Sequence, residues 1–452
     1  MTAQQLFVKT ALVCALASAA VSTWAQAPVM DLKQVYQAAL EQDATIRASR
    51  ATADSGRERL PQARAGLLPQ ISASAGRNNN NLDTTAPNII GTPVTTNEKY
   101  LSDNKTLQLR QPLVNMQRWL QFQQAKSVVE EVEANLDRDL QNLVVRVAGV
   151  YFEALMADEQ LDLVLAQKKT YTALVDAAKK GLAAGSGTRT DIDDAQSRLD
   201  MAAAQELEAR QNQDLARRQL QLLVNQPVNQ IAKLNVAALQ LSAPMPANLD
   251  DWTRKAEQAS PEIRAMQARL DAARREVSKA QAGHLPTVDA VAQWSNSGSE
   301  NITRVNSRFE NKTIGLQLNI PLYSGGYVNS TIRQAVAEQT RAEESLEALR
   351  RDLGVRVHKE YRGVSEGVLR VRALEQAARS AEQMMKSTQM SLTAGSRTQL
   401  DVLNAQQQFT LALRDLAQAR LVYLLSKVRL ASLVGDDAMV SIEQVNGSLR
   451  VR

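Results

Sequence analysis

Hydrophobic and polar positions follow two rhythms along this chain. From Met116 to Ala184 no proline interrupts, and Val129, Val132, Leu136, Leu143, Val147, Val150 and Ala154 fall three, four or seven residues apart. Leu346, Leu349, Leu353, Val357, Tyr361, Val364, Val368 and Val371 do the same further on. This heptad-like seam predicts long helices packed lengthwise as coiled coils, and its richness in alanine suits close packing of more than two helices. At 1.5 Å per residue the first helix would run about 100 Å. A returning helix near Thr190 to Val224 is about half as long, and a helix from Ser260 to Gly283 is placed to stack on its end. A globular domain has no use for such a helix; a tube or a stalk does.

The second rhythm has period two. Ile314, Leu316, Leu318 and Ile320 alternate with Gly315, Gln317 and Asn319, and Val288, Ala290, Ala292 and Trp294 alternate with Thr287, Asp289 and Gln293, where Val291 breaks the polar face. Leu107 and Leu109, and Ile71, Ala73 and Ala75, alternate with polar residues in the same way. Runs of about ten residues with one apolar face match the strands of outer-membrane barrels, with Leu107, Leu109, Val288, Ala290, Ile314, Leu316, Leu318 and Ile320 facing lipid. A soluble sheet covered by helices is the alternative. Between the paired strands, Arg77 to Asp103 and Ser295 to Asn311 read as polar loops, and Pro69, Pro112, Pro286 and Pro321 mark the other rim. Four strands do not close a barrel, for which about eight is the minimum, so the chain must pool strands with copies of itself. Two copies or three would both serve.

The chain is also one unit written twice. Ala184-Gly185-Ser186-Gly187-Thr188-Arg189-Thr190-Asp191-Ile192 recurs 210 residues later as Ala394-Gly395-Ser396-Arg397-Thr398-Gln399-Leu400-Asp401-Val402, and Leu68-Pro69 recurs after 217 as Leu285-Pro286. We divide it into a signal peptide (1–27), a first repeat (28–226, strand pair at about 69–113, tip turn near 185), a proline-bearing linker (227–249), a second repeat (250–435, strand pair at about 286–322, tip turn near 395) and a C-terminal tail (436–452). The expected class is mostly α with a small β part: coiled-coil helices forming an α-barrel, plus four strands per chain.

Composition sharpens this picture. Met1 to Ala27 has one lysine, an apolar stretch from Ala11 to Val21 and an Ala25-Gln26-Ala27 cleavage site, with cleavage after Ala25 as the competing option. Export would remove Cys14, the only cysteine, so no disulfide stabilises the mature chain. Beyond the first thirty residues no apolar run approaches the ~18 needed for a membrane helix, which excludes a polytopic inner-membrane protein but not a β-barrel. A pI near 9.2 invites a nucleic-acid reading. The basic residues are dispersed, however, and Arg217-Arg218 and Arg350-Arg351 read as solvated helix faces in an exported chain, so no nucleic acid is expected.

Catalytic chemistry is thin. There is no phosphate-binding P-loop, and two histidines (His284, His358) with no mature cysteine leave no usual zinc site, so no cofactor or metal is expected. Gly363-Val364-Ser365-Glu366-Gly367 matches GxSxG but falls inside a helical seam, where a nucleophile elbow does not form. The chain is read as a non-enzyme. At the two turns, Gly185-Ser186 and Gly395-Ser396 end a helix, and Thr188 and Thr398 stand three residues before Asp191 and Asp401 as N-caps. Those aspartates either complement the helix dipole or, in symmetric copies, ring a pore mouth.

With the signal peptide, repeat, strand pairs and long helices in hand, the chain resembles the TolC-like family of outer-membrane exit ducts and its type I secretion relatives. The stretches that carry the resemblance are Gly283-His284-Leu285-Pro286-Thr287-Val288-Asp289, Ile320-Pro321-Leu322-Tyr323-Ser324-Gly325-Gly326-Tyr327-Val328-Asn329-Ser330 and Ala394 to Leu403. The resemblance implies a homotrimer with a twelve-stranded barrel in the outer-membrane lipid and a periplasmic α-helical tunnel. It also implies a periplasmic adaptor docked at the tip turns (Gly185, Ser186, Gly395, Ser396) and an inner-membrane ABC or proton-driven RND transporter. Arg397 matches the family's latch arginine, and Thr190 and Asp191 match its partners on a neighbouring coil. Asp401 matches one of two constriction aspartates. The second falls on Asn404 and the latch tyrosine on Leu392, which implies a ring with half the acidic groups and a closed state lacking one bond. The expectation is a passive outer-membrane duct exporting proteins or drugs; the rival readings are a periplasmic coiled-coil adaptor, a secreted filament subunit and, more distantly, an esterase.

Overall fold

The computed structural model describes residues 29–300 and 307–450, so the segment read as a signal peptide lies outside the described residues. After three short helices, α1 (Leu32–Gln42), α2 (Ala44–Arg57) and α3 (Arg59–Ala65), the chain makes β1 (Gln70–Pro87) and β2 (Pro93–Val114). It then runs through α4 (Met116–Ala183), turns, and returns as α5 (Arg189–Val224). After a short β3 (Lys233–Leu234) the same order follows: α6 (Leu249–Ala259), α7 (Pro261–Gln281), β4 (Thr287–Ser299), β5 (Ser307–Asn319), α8 (Tyr327–Thr393) and the returning α9 (Gln399–Leu433). α10 (Ala438–Asn446) and β6 (Leu449–Arg450) close the chain, with β6 paired antiparallel to β3.

The 68 residues of α4 and 67 of α8 give two rods of about 100 Å. α7 lies between them along one half, and α5 and α9 cover the other. α7 thus occupies the length of rod that the shorter returning helices leave bare. The main core sits at the middle, where short elements wrap the rods. Leu32, Val35 and Tyr36 of α1, Leu143, Val147 and Tyr151 of α4, Leu353 and Val357 of α8, Tyr423 and Val428 of α9, and Ile442 of α10 form one buried cluster. Tyr151 ties the belt to the chain entering and leaving it: its hydroxyl donates to Ala232 O at 2.9 Å and lies 3.3 Å from Met30 O. The linker is therefore packed, with Val228, Ile231 and Ala232 buried.

Towards the tips the core thins. On α5 the buried line is Ala195, Ala202, Ala209 and Ala216, one small residue every seventh position. Only alanine lets α5 lie this close along α4, because each larger side chain would wedge the pair apart. One window of α4 is long and apolar enough to cross a membrane by composition, contrary to the expectation that no such run exists. It belongs to a 68-residue helix, and the apolar run Leu143–Leu155 supplies the belt core.

Strands β1, β2, β4 and β5 form one antiparallel sheet in that order. It departs from the sequence expectation in length. Arg77 to Asp103 is no loop: β1 and β2 stay paired from Gln70↔Arg110 to Pro87↔Pro93. Likewise the 295–299 and 307–311 parts of Ser295 to Asn311 are paired strand, with Ser299 opposite Ser307. Backbone pairing needs no apolar face, and polar cross-strand pairs hold this ribbon: Thr85 with Thr95 at 2.8 Å, Asn97 with Asn81 at 2.8 Å, Asn80 with Ser102 at 2.8 Å. Pro112 lies inside β2, at the bulge between Pro112 and Val114, where a missing N–H costs no ladder bond.

Candidate functional site

Two regions carry the candidate residues: the helical hairpin tips and the sheet. At the first tip α4 ends through Gly185, whose φ of +75° is the left-handed cap conformation that glycine adopts without steric cost. Ser186 N–H and hydroxyl both donate to Gly181 O, at 3.0 and 3.2 Å. The second tip repeats this with Gly395 at φ +77° and Ser396 donating to Ser391 O. Both returning helices start with a reciprocal capping box. Asp191 N–H donates to Thr188 Oγ1 at 3.2 Å while Thr188 N–H donates to Asp191 Oδ2 at 2.8 Å; Thr398 and Asp401 do the same at 3.3 and 3.0 Å.

Asp401 keeps a second role open. Its Oδ2 serves the cap, while Oδ1 lies 3.9 Å from Arg397 Nη1. The Thr398 backbone N–H, then its hydroxyl and the Arg397 charge, hold this carboxyl below the usual aspartate range. Within one chain Arg397 thus has Asp401 as its carboxylate partner, not Asp191, and Thr190 stands exposed beside that cap. Leu392, where the resemblance expected a tyrosine, packs its side chain against a cluster of Tyr171, Leu174, Ala202, Val402 and Leu403. Asn404 is exposed, one turn beyond Asp401, and accepts from Arg198 Nη2 of α5 at 2.7 Å; Arg198 Nη1 donates to Gln407 Oε1 at 2.9 Å. Sequence reading missed Arg198, because nothing in a helical repeat indicates which arginine reaches a neighbouring helix.

The sheet is apolar on one face. Residues directly opposite share a face, and the register aligns Ile71, Leu109, Ala292 and Ile314 across four strands. Leu107 stands opposite Trp294, Ala290 opposite Leu316, and Val288 opposite Leu318. Ile320 follows just beyond the end of β5. Among the described residues no helix covers this face: Ile314, Leu316 and Leu318 are 88%, 74% and 60% exposed. The other face carries Ser72, Gln108, Gln293 and Thr313 in one row. At its base Arg110 Nη2 donates to the buried Asp289 Oδ2 at 2.5 Å. An uncovered apolar face backed by a polar one is the pattern of a wall between lipid and water. It disfavours the soluble-sheet alternative.

The remaining candidates find structural roles. Ser365 lies within α8 and His358 is exposed on the same helix. The glycines of that motif serve packing: a Cβ on Gly363 would meet Ser426 Oγ of α9 at 2.5 Å, and one on Gly367 would meet Tyr423 at 3.2 Å. Arg217, read as a solvated face, instead reaches Asp158 at 3.1 Å beside Gln213, whereas Arg218 and Arg351 pair with acids one turn back on their own helices. Among the described residues no group of His, Cys, Asp and Glu could hold a metal ion.

Comparison with known proteins agrees with this geometry. Residues 35–226 and 252–436 match the outer membrane efflux protein family. The chain is 32% identical to the proteases secretion protein PrtF of Dickeya chrysanthemi (87% of this chain, 86% of that one) and 33% identical to the alkaline protease secretion protein AprF of Pseudomonas aeruginosa (91% and 86%). It is 29% identical to the outer membrane protein TolC of Escherichia coli strain K12, over 90% and 82%. Among solved structures the fold resembles CusC, with a TM-score of 0.77 at 17% identity over 90% and 92%, and the outer-membrane channel OprN, with a TM-score of 0.76 at 18% identity over 90% of each chain. The long rods, the uncovered sheet face and these matches over nearly the whole described chain lead to one conclusion: the chain belongs to the outer membrane efflux protein family, the exit channels of the outer membrane.

Proposed function

We propose that three copies assemble into one passive channel that carries polypeptides from the periplasm across the outer membrane. The observation that carries this is the open sheet. β1 and β5 are its edges, and among the described residues neither has a strand on its outer side. A row of unpaired backbone N–H and C=O groups is untenable in hydrocarbon, so β5 of one copy must pair with β1 of the next until the ring closes. Two copies would give eight strands, whose interior side chains fill; three give twelve and leave a lumen. The helical rods continue that lumen as a tunnel, and the two hairpins of each copy form its far end.

In this reading Ile71, Leu107, Leu109, Val288, Ala290, Ile314, Leu316, Leu318 and Ile320 face lipid. Asp401 and Asn404 line the constriction. Arg397, Thr190 and Asp191 meet across neighbouring coils as a latch, and the turns at Gly185-Ser186 and Gly395-Ser396 receive a periplasmic adaptor that couples the duct to an ABC or RND transporter. Two relatives at 32% and 33% identity carry protease secretion in their names, which favours polypeptide over small-molecule export. The direct test is the mass of the detergent-extracted mature protein: three copies are expected, and a monomer or dimer refutes the assembly. For the latch, Arg397→Ser should raise bilayer conductance; conductance equal to the parent's removes Arg397 from that role.

A further inference from the structure

The guanidinium of Arg198 is the least conventional feature of the tip. Two other tip arginines face acids: Arg397 faces Asp401, and Arg189 Nε lies 3.4 Å from Asp193 Oδ1. Arg198 spends its fork on two neutral amides, Nη2 on Asn404 Oδ1 at 2.7 Å and Nη1 on Gln407 Oε1 at 2.9 Å. Among the described residues it forms no salt bridge. An amide oxygen accepts a hydrogen bond from a guanidinium without cancelling its charge. Arg198 is therefore a positive charge held in place by neutral partners, with no carboxylate in ion-pair contact among the described residues.

Its position matters for two reasons. First, the contact joins the two returning helices. α5 and α9 each pack mainly on their own long partner, α4 and α8, and near the tips they converge on the cluster of Tyr171, Leu174, Ala202, Val402 and Leu403. Arg198 spans the two helices beside that cluster, so separating the hairpins of one chain requires breaking its fork. Second, Asp401, Asn404 and Gln407 are three residues apart, which makes them neighbours up one side of α9. By helix rise Asn404 and Gln407 stand roughly 4.5 and 9 Å above Asp401. The guanidinium they hold thus lies within about one Debye length of the Asp401 carboxylate at physiological ionic strength.

We propose that Arg198 is a selectivity-determining and closing residue of this channel: it clamps α5 to α9 inside each chain and sets a ring of positive charge just above the ring of Asp401. The inference rests on the proposed placement of Asp401 at the constriction. Each copy then contributes one anion and one cation to adjacent layers of the lumen wall. An ion entering meets a bipolar collar rather than a purely acidic one. Cation preference is weak, and cation block at the mouth is correspondingly weak. The clamp also keeps the closed state closed without a contact to a neighbouring copy, which separates it from the latch assigned to Arg397.

The test uses the full mature chain in planar bilayers under a tenfold salt gradient, with Arg198→Gln, Arg198→Lys and Asp401→Ala, each first shown to extract from the outer membrane in the parent's oligomeric state. Arg198→Gln removes both charge and fork. It should shift the reversal potential towards cations and raise open-state occupancy about tenfold. Arg198→Lys keeps the charge but loses the two-pronged grip, so it should raise occupancy while leaving the reversal potential near the parent's. If Asp401→Ala lowers cation preference and Arg198→Gln leaves both readouts unchanged, the Arg198 proposal is overturned and the pore reading stands. If neither variant moves the reversal potential, Asp401 does not line the constriction, and the Arg198 proposal is overturned with it.

Discussion

Removing one oxygen from the belt provides a sharp test of how the helices are tied together. Tyr151 is fully buried, and its hydroxyl donates to Ala232 O at 2.9 Å. Tyr151→Phe keeps the ring and its edge-on contact with Phe152, at 6.2 Å between centroids. Met30 O, 3.3 Å from the hydroxyl, retains the Ala232 N–H at 3.0 Å. The orphaned acceptor is then the Ala232 carbonyl, in a residue 1% exposed. A lost bond that leaves a buried acceptor unpaired costs about 1–2 kcal/mol. The cost falls on the linker, so amide exchange in residues 228–234 should quicken roughly 5- to 30-fold while the tips exchange as before. A second readout follows from the phenol. Burial pushes the Tyr151 hydroxyl well above its ordinary value of 10.0. The group therefore contributes stability that is complete below the unfolded value and is lost as pH rises through the raised folded one. The parent should weaken on the alkaline side of pH 10, and Tyr151→Phe should weaken less steeply there. Unchanged linker exchange together with an unchanged alkaline limb would refute the idea that this hydroxyl pins the linker.

Other perturbations probe the rods and the tip. Ala202→Leu adds bulk to a residue 1% exposed on the alanine line of α5, and overpacking should cost about 1–3 kcal/mol; faster exchange across α5 checks it, and parent-like exchange contradicts the close-packed seam. Gly363→Ala places a Cβ 2.5 Å from Ser426 Oγ, so thermal stability should fall, and adding Ser426→Gly should recover part of the loss in a double-mutant cycle. Asp401 has a depressed carboxyl, so the cap and the charge it supplies are present above the unfolded value and vanish only as pH falls through the lower folded one. Reversal potentials should therefore hold steady from pH 7 to about 4, and a midpoint for lost selectivity near pH 5 would contradict the assignment.

How far the sequence could be read follows from what each signal measures. Apolar periodicity reports the face a helix buries, and with the absence of proline it bounds the first rod to within a residue: Met116 to Ala184 is the expectation and α4 ends at Ala183. Glycine followed by threonine and aspartate reports local capping, and both capping boxes form. Polarity, however, is a poor measure of strand length once a hairpin stands free on both faces. Arg77 to Asp103 is mostly polar, yet its backbone pairs as far as Pro87↔Pro93. Pro112 looked like a rim because proline cannot donate, and the strand accommodates it with a bulge. The GxSxG motif lies within α8, and the packing role of its glycines depends on Ser426 and Tyr423, some sixty residues away. Arg198 was invisible for the same reason: its partners lie 206 and 209 residues on.

The uneven legibility has a physical origin in where this chain completes itself. In the belt the apolar core closes within one copy, which is why period, caps and core agree there. At the sheet the chain stops half-satisfied, with an apolar face open and two edge strands unpaired. The tips lie between these cases: each hairpin is internally capped, while the roles proposed for Arg198 and Asp401 require the proposed assembly of copies around a lumen. A free chain with such edges is a template for uncontrolled pairing. Closure into a ring removes both edges at once, and covering the apolar face requires lipid. Folding of the sheet is therefore expected to wait for the membrane and for other copies, whereas the belt and rods can form in water first. Helical signal should accordingly appear in detergent-free refolding while protection of β1 and β5 amides appears only after vesicles are added. Strand protection in the absence of any lipid or detergent would break this order of events.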